Sequence, residues 1–334
     1  MSDLSAPPSP PRSAARERPL TLEVVVPVFN EAAVLGLLLD RIAEVLSPTA
    51  LARYGVARLR LLFVDDGSTD TSAALLADRI RAGLDARLIR LSRNFGHQSA
   101  VCAGLDLAEG DLVVVMDADL QDPPEVVLPM LEKWNSGADV VFARRRRRKG
   151  NAVKRLGYWG FYRLVAFLSD IRLPLDTGDF GLLDRRVVMA LRSLPENLRF
   201  PRGLRAWVGF RQEGIEFDRP ERRAGRPKYA FRALYRLATD GIASMSTRPL
   251  QVAQVCSFFF GLLTLLLLVL LLAGYAARPF AIPRPFLLAY VLVASGNAVQ
   301  SLCLYILGAY VGRTYLEVKG RPPYLVMERV EKAP

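Results

Sequence analysis

Apolar positions along the chain follow two rhythms. Short, mostly apolar runs at 22–28 (LEVVVPV), 59–64 (LRLLFV), 87–91 (RLIRL), 112–116 (LVVVM) and 139–143 (DVVFA) have the length of strands. Between them the spacing turns helical: Val34, Leu35, Leu38, Ile42 and Val45 predict a helix over 31–46, and further helices are expected near 72–81, 98–108 and 124–135. Strands without polar alternation are buried on both faces, so the pattern predicts an α/β domain with a doubly wound, mostly parallel sheet. In such sheets ligands bind beyond the carboxyl ends of the strands.

The second rhythm comes late. No charged residue occurs from Pro249 to Ala277 or from Pro285 to Gly312. Each stretch exceeds the roughly 20 residues that a helix needs to cross a bilayer core. These predict a C-terminal hairpin of two transmembrane helices within 250–312. The loop between them carries Arg278 and Arg284, whereas basic residues crowd the approach (Arg222, Arg223, Arg226, Lys228, Arg232, Arg236, Arg248) and the tail (Arg313, Lys319, Arg321). The positive-inside rule then places both termini in the cytoplasm, as a multi-pass protein of the inner (cytoplasmic) membrane. The first residues lack the apolar core of a signal peptide and read as a disordered tail over 1–20. The expected organisation continues with the α/β domain over 21–225, an interfacial amphipathic helix over 226–249, and a cytoplasmic tail over 313–334.

Charge changes the choice of partner. Lys and Arg number 45 against 33 Asp and Glu, a formal net charge of +12. Such an excess suits nucleic acid, an anionic membrane surface or a phosphorylated substrate. The arginine run 144–149 precedes KRLGYWGFYRLVAFL, whose basic and aromatic mixture predicts a helix lying in a membrane interface, as does KYAFRALYRLATDGIASM. Membrane is therefore expected as a partner, and nucleic acid is not. Cys102, Cys256 and Cys303 show no paired spacing, which excludes a disulfide framework or zinc knuckle. His97 is the only histidine, expected near a helix start in a structural or donor-contact role. Trp207 reads as core or interface rather than as a stacking platform.

Three strands end in polar residues: PVFNE at 27–31, VDDGSTD at 64–70 and MDADLQD at 116–122. Asp117 and Asp119 lie two apart, so on an extended segment both point to one side. Paired carboxylates repel unless a cation or proton lies between them. Mg2+ or Mn2+ suits the pair, and such ions usually bind substrate phosphates as well. Gln121 and Asp122 are candidates for supporting contacts. No glycine-rich phosphate cradle occurs, which excludes the P-loop and dinucleotide fingerprints.

Six segments, VVVPVFNE, VDDGSTD, LSRNFGHQSAVCAGLDLAEGD, MDADLQDPPE, DTGDFGLLDRR and RFPRGLRAWVGFRQ, occur in order. With the two apolar stretches and the tail VGRTYLEVKGRPPYLV, the chain resembles family-2 glycosyltransferases of the GT-A fold. Within them it is similar to the polyprenyl-phosphate branch, with dolichyl-phosphate mannose synthase and the bacterial undecaprenyl-phosphate glycosyltransferases. The resemblance implies a nucleotide-sugar donor and a polyprenyl-phosphate acceptor. It implies that Pro27, Phe29, Glu31, Val64 and Asp66 line the nucleotide. Asp117, Asp119 and Gln121 would hold the metal on the donor diphosphate, with Arg222 and Lys228 closing over it. Arg145 and Arg155 would meet the acceptor phosphate. Asp176 and Asp179 are expected to orient sugar or acceptor, or to act as base. Bacterial relatives often read SKWNY where this chain has PKYAF; Lys228 is retained, but Ala230 replaces an asparagine, which bears on contacts to the sugar. The QxxRW motif of processive synthases is absent. The expected reaction is inverting transfer of one hexose, from UDP-glucose or a related UDP-sugar, with GDP-mannose as the alternative. An adaptor that binds nucleotide-sugar without turnover is the reading from another class. RPPYLVMERV is expected to offer an exposed strand to a neighbour in a homo-oligomer.

Overall fold

A computed structural model describes residues 19–145, 177–197, 199–218, 246–277 and 284–332. The chain divides into two compact units, one of residues 1–158, 173–230 and 321–334, the other of 159–172 and 231–320.

The first unit is built on an eight-stranded sheet with strand order β7-β5-β6-β4-β1-β2-β3-β8. The five anticipated strands are β1 (Leu20–Val28), β2 (Val56–Asp65), β3 (Ala86–Leu91), β4 (Leu112–Val115) and β5 (Val140–Arg145). β1, β2, β3 and β4 pair in parallel, as the unbroken apolar runs require. Three strands lie outside that pattern: β6 (Thr177–Asp184), β7 (Gln212–Phe217) and β8 (Val326–Glu331). β6 wedges antiparallel between β4 and β5, β7 adds parallel to β5, and β8 adds antiparallel to β3. The sheet is therefore mixed. β8 belongs to the tail expected to pair with a neighbouring molecule, and here it pairs with its own chain.

Helices cover both faces. Alternate residues of β1 (Leu22, Val24, Val26) share a core with Leu35, Leu38 and Ile42 of α1 (Ala32–Val45), Leu76 and Ile80 of α3 (Ser72–Arg81), and Met130 and Trp134 of α5 (Val127–Asn135). A short α2 (Pro48–Ala52) leads into β2. On the opposite face α4 (His97–Leu107) comes so close that a Cβ on Gly104 would lie 2.2 Å from Val25 Cγ1. At the amino end of the sheet, Glu23 is fully buried, and its Oε1 accepts from Arg87 at 2.7 Å while Oε2 accepts from the Gly110 amide at 2.8 Å. A buried carboxylate is tolerated only with such partners. The unit is completed by α6 (Arg185–Arg192) and α7 (Pro201–Trp207).

The second unit contains two long helices, α8 (Arg248–Ala277) and α9 (Arg284–Val318). They run antiparallel, with the Tyr310 hydroxyl donating to the Ser246 carbonyl at 2.6 Å and Ser257 Oγ lying 3.3 Å from Cys303 Sγ. Helices form where the uncharged stretches lie, yet among the described residues none is long and apolar enough to cross a membrane. α9 interrupts its apolar run with Ser295, Asn297, Gln300 and Ser301 and carries Arg313 and Glu317 toward its end. This overturns the expected C-terminal transmembrane hairpin, and with it the expected multi-pass placement in the inner membrane. The N-terminal tail before residue 19 and the expected interfacial helices around 154–168 and 228–245 lie outside the described residues.

Candidate active site

The polar ends of β1, β2 and β4 meet at one end of the sheet, held by side chains that hydrogen-bond between loops. After β1, Asn30 takes a left-handed backbone (φ 56), which asparagine tolerates better than most residues. Its Oδ1 accepts from the Thr69 amide at 2.8 Å, and its own amide donates to Ser68 Oγ at 2.9 Å. The Glu31 amide donates to Ser72 Oγ at 2.9 Å and the Ala32 amide to Asp70 Oδ2 at 3.2 Å. The serine, threonine and aspartate of VDDGSTD thus bind the FNE loop. Pro27 and Val64 are register partners in the sheet interior, with Phe29 and Glu31 half-buried just beyond them.

The second strand end organises the next loop. Asp66 is buried, and its two oxygens accept from the amides of Phe95 (2.7 Å) and Gly96 (2.9 Å). Burial raises its pKa, and the two amide donors work against that rise. Gly67 has φ 69, and a Cβ there would lie 2.6 Å from the carbonyl carbon of Arg93, so this turn admits only glycine. Asp65 is fully buried and accepts from the Ser68 amide at 3.2 Å. The effect is to set the start of α4, and with it His97.

β4 stops at Val115, so Asp117 and Asp119 do not alternate along a strand as the spacing argument assumed; they lie in the turn that follows. Leu120 takes a positive φ of 58. Asp122, buried, accepts from the Asp117 amide at 3.2 Å, and Asp119 accepts from the Gln121 amide at 3.1 Å. The Asp117 side chain is one-third exposed (33%). Among the described residues no three His, Cys, Asp or Glu side chains form a metal cage. Asp117, Asp119 and Gln121 nonetheless put oxygen donors into one turn, the kind of donor that hard divalent ions take with water completing their shell.

The β4–β6 register pairs Val115 with Gly181. Carried on by two residues, this antiparallel register brings Asp117 level with Asp179. His97 lies between them, its Nε2 3.7 Å from Asp117 Oδ1 and 3.3 Å from Asp179 Oδ2. Asp179 is buried and held by Arg202, whose Nε and Nη2 donate to its two oxygens at 2.8 and 2.7 Å. Burial alone would raise the Asp179 pKa, but Arg202 and His97 hold it well below the usual carboxylate range. For His97, burial would lower the pKa, and the two carboxylates push it up to about 9. Arg205, one turn on from Arg202, is buried against the Phe142 ring, and burial lowers its pKa to about 10. His97 was expected near a helix start in a structural or donor-contact role, and it opens α4; Arg202 was not singled out at all. Asp176, Arg155, Arg222 and Lys228 lie outside the described residues, as does the side chain of Arg145 at the end of β5.

Residues 23–192 match the family model described as "Glycosyl transferase family 2". The chain is similar to the uncharacterized glycosyltransferase YkcC of Bacillus subtilis (strain 168), at 40% identity over 93% of this chain and 94% of that one. It is 36% identical to the prophage bactoprenol glucosyl transferase homolog of Escherichia coli (strain K12), over 94% of this chain and 100% of that one. The bactoprenol glucosyl transferase of Shigella phage SfII is 36% identical over 92% of this chain and 97% of its own length.

Proposed function

The chain belongs to glycosyl transferase family 2 and is a glycosyltransferase, and from that premise we propose that it moves a single hexose from a nucleotide-sugar to a polyprenyl phosphate. The observation that carries this reading is the end-to-end similarity to proteins named bactoprenol glucosyl transferases. The donor favoured is UDP-glucose or a related UDP-sugar.

The geometry supports a division of labour. The laced loops after β1 and β2 present Pro27, Phe29, Glu31, Val64 and Asp66 as the nucleotide side of the site. Since Asp66 already accepts from two amides, its part is to shape that side as well as to touch the donor. Asp117, Asp119 and Gln121 are the groups that would hold Mg2+ or Mn2+. A bound ion there supplies neutralising charge for the departing diphosphate. Arg222 and Lys228 would add fixed positive charge on the same oxygens. Arg145 and Arg155 would receive the acceptor phosphate. That phosphate is largely doubly ionised near neutral pH, because its second pKa is about 6, so its oxygen attacks without a strong base. Asp179, held below the usual carboxylate range by Arg202 and His97, is a poor proton acceptor and serves to orient, a role also assigned to Asp176. In-line attack at the anomeric carbon inverts configuration.

The test is transfer of radiolabel from UDP-glucose, UDP-GlcNAc, UDP-galactose or GDP-mannose into undecaprenyl phosphate in detergent, with Mn2+ or Mg2+. Label in the lipid phase from one donor, lost in Asp119→Ala, is the expected outcome. Intact UDP binding without transfer from any donor to any polyprenyl phosphate would refute the reading.

A further inference from the structure

Arg202, Asp179, His97 and Asp117 form a continuous line from the start of α7 to the carboxylate turn after β4. We propose that Arg202 and His97 are positioning residues for Asp117, acting through Asp179, and that they set the affinity of the site for a divalent cation. The proposal rests on the reading that Asp117 takes the metal.

The geometry of one nitrogen carries the argument. His97 Nε2 faces two carboxylates, at 3.3 Å from Asp179 and 3.7 Å from Asp117. A nitrogen facing two carboxylates carries its hydrogen, and Asp179 Oδ2 lies within hydrogen-bond distance of it while Asp117 stands just outside. Asp179 would be expected to capture it, since it is the closer and more buried of the two. It does accept it, at 3.3 Å, and the guanidinium fork of Arg202, which supplies one donor to each of the Asp179 oxygens at 2.8 and 2.7 Å, fixes where that acceptor stands. The Gln98 amide nitrogen adds a long contact at 3.4 Å. Held there by Asp179, the imidazole stands beside Asp117.

The anchor is fixed from behind. Pro201 is buried at the first position of α7, Arg205 is buried against Phe142, and the Arg205 carbonyl accepts from Gln212 at 2.8 Å. Arg202 is thus presented by a rigid element, and the line ends on a carboxylate only one-third exposed. An ion pair with a purely structural task would stop at Asp179. This one continues into the acidic turn.

The experiment uses the full-length protein and reads Mn2+ binding in the presence of UDP, from the decline of the free-ion EPR signal, alongside kcat and donor KM. His97→Gln and Arg202→Met are each expected to weaken Mn2+ binding on the order of 10–100-fold, as loss of a group that orients a ligand does. The double variant is expected to be no weaker than the worse single one, because both act along one line. The loss is expected in kcat, with donor KM near its wild-type value. Arg202→Lys keeps the charge but not the fork, and serves if Arg202→Met does not fold; it is expected to bind Mn2+ more weakly than wild type and more tightly than His97→Gln. Wild-type Mn2+ affinity in folded Arg202→Lys or Arg202→Met, or losses that multiply in the double variant, would overturn the proposal. The underlying reading is tested separately by Asp117→Asn: if neither wild type nor this variant binds Mn2+ with UDP, the metal assignment itself falls. If wild type binds and Asp117→Asn does not, the Arg202 result stands alone.

Discussion

Asp179 shows how one buried charge sets the requirements of its neighbours. It is a carboxylate within the fold, and Arg202 and His97 keep it ionised by holding its pKa far below the ordinary value. A depressed carboxylate pKa adds stability that is fully present above the unfolded value of about 3.9 and is lost as pH falls below it. Asp179→Asn takes from the half-buried Arg202 guanidinium the charge of the carboxylate it pairs with, and loss of such charge-assisted hydrogen bonds typically costs about 1.5–3 kcal/mol. Urea denaturation should therefore show a wide gap between wild type and Asp179→Asn at pH 7. The same gap should shrink steadily as pH is lowered through 4 toward 3. An equal gap at pH 7 and pH 3 would mean that the carboxylate's charge is not what Asp179 contributes.

At the scale of elements, legibility followed burial. β1 to β5 were readable because strands covered on both faces need unbroken apolar runs. β6 (TGDFGLLD) opens with glycines and an aspartate that serve the site, β7 (QEGIEF) lies on the sheet edge, and β8 (VMERVE) pairs only on one side, so none of the three needs such a run. The carboxylates after β2 and β4 were legible as neighbours, because parallel strands that pair with β1 end on the same side of the sheet. Their partners were not: Arg202 reaches Asp179 across 23 positions, and nothing local in FPRG announces it. A count of charges alone also misread α9, where Ser295, Asn297 and Gln300 break the apolar run without adding a charge. The VDDGSTD turn, by contrast, can be tested as a unit. Gly67→Ala meets both a positive φ and a backbone contact at 2.6 Å, whereas Gly55, at φ 76, has nothing near its Cβ position. Gly55→Ala should cost only the left-handed strain, about 1–2 kcal/mol. Gly67→Ala should in addition displace the 93–97 loop and weaken UDP binding. Calorimetric titration of both variants with UDP would decide the matter, and equal affinities would remove the link from this turn to the donor.

The sheet unit as a whole is assembled from distant stretches of chain, and its last strand arrives only after α9. Residues 321–334 return to it. Arg90 of β3 pairs with Glu328 at 3.0 Å while reaching the buried Asp65 at 3.4 Å, so the final strand braces a residue of the VDDGSTD turn. The Ser92 amide donates to the Leu325 carbonyl at 2.9 Å, just before the loop that carries His97, and the Tyr324 hydroxyl donates to Asp106 of α4 at 3.1 Å. Tolerance to truncation depends on such backbone pairing and burial, not on nearness to a terminus. A chain ending at Gly320 should therefore lose more than a tail. Its β3 would become an uncovered edge, and open edges pair with other molecules. Hydrogen exchange should accelerate at the amides of residues 87–92 and leave those of β4 unchanged, and sedimentation should show association that grows with concentration. Glu328→Ala, which keeps the strand but releases Arg90, should leave exchange in β3 nearly as slow as in the intact chain while weakening UDP binding. If truncation left both exchange and UDP affinity unaltered, β8 would be an ornament of the sheet. If exchange rose and affinity did not, the final strand would close the edge without reaching the site.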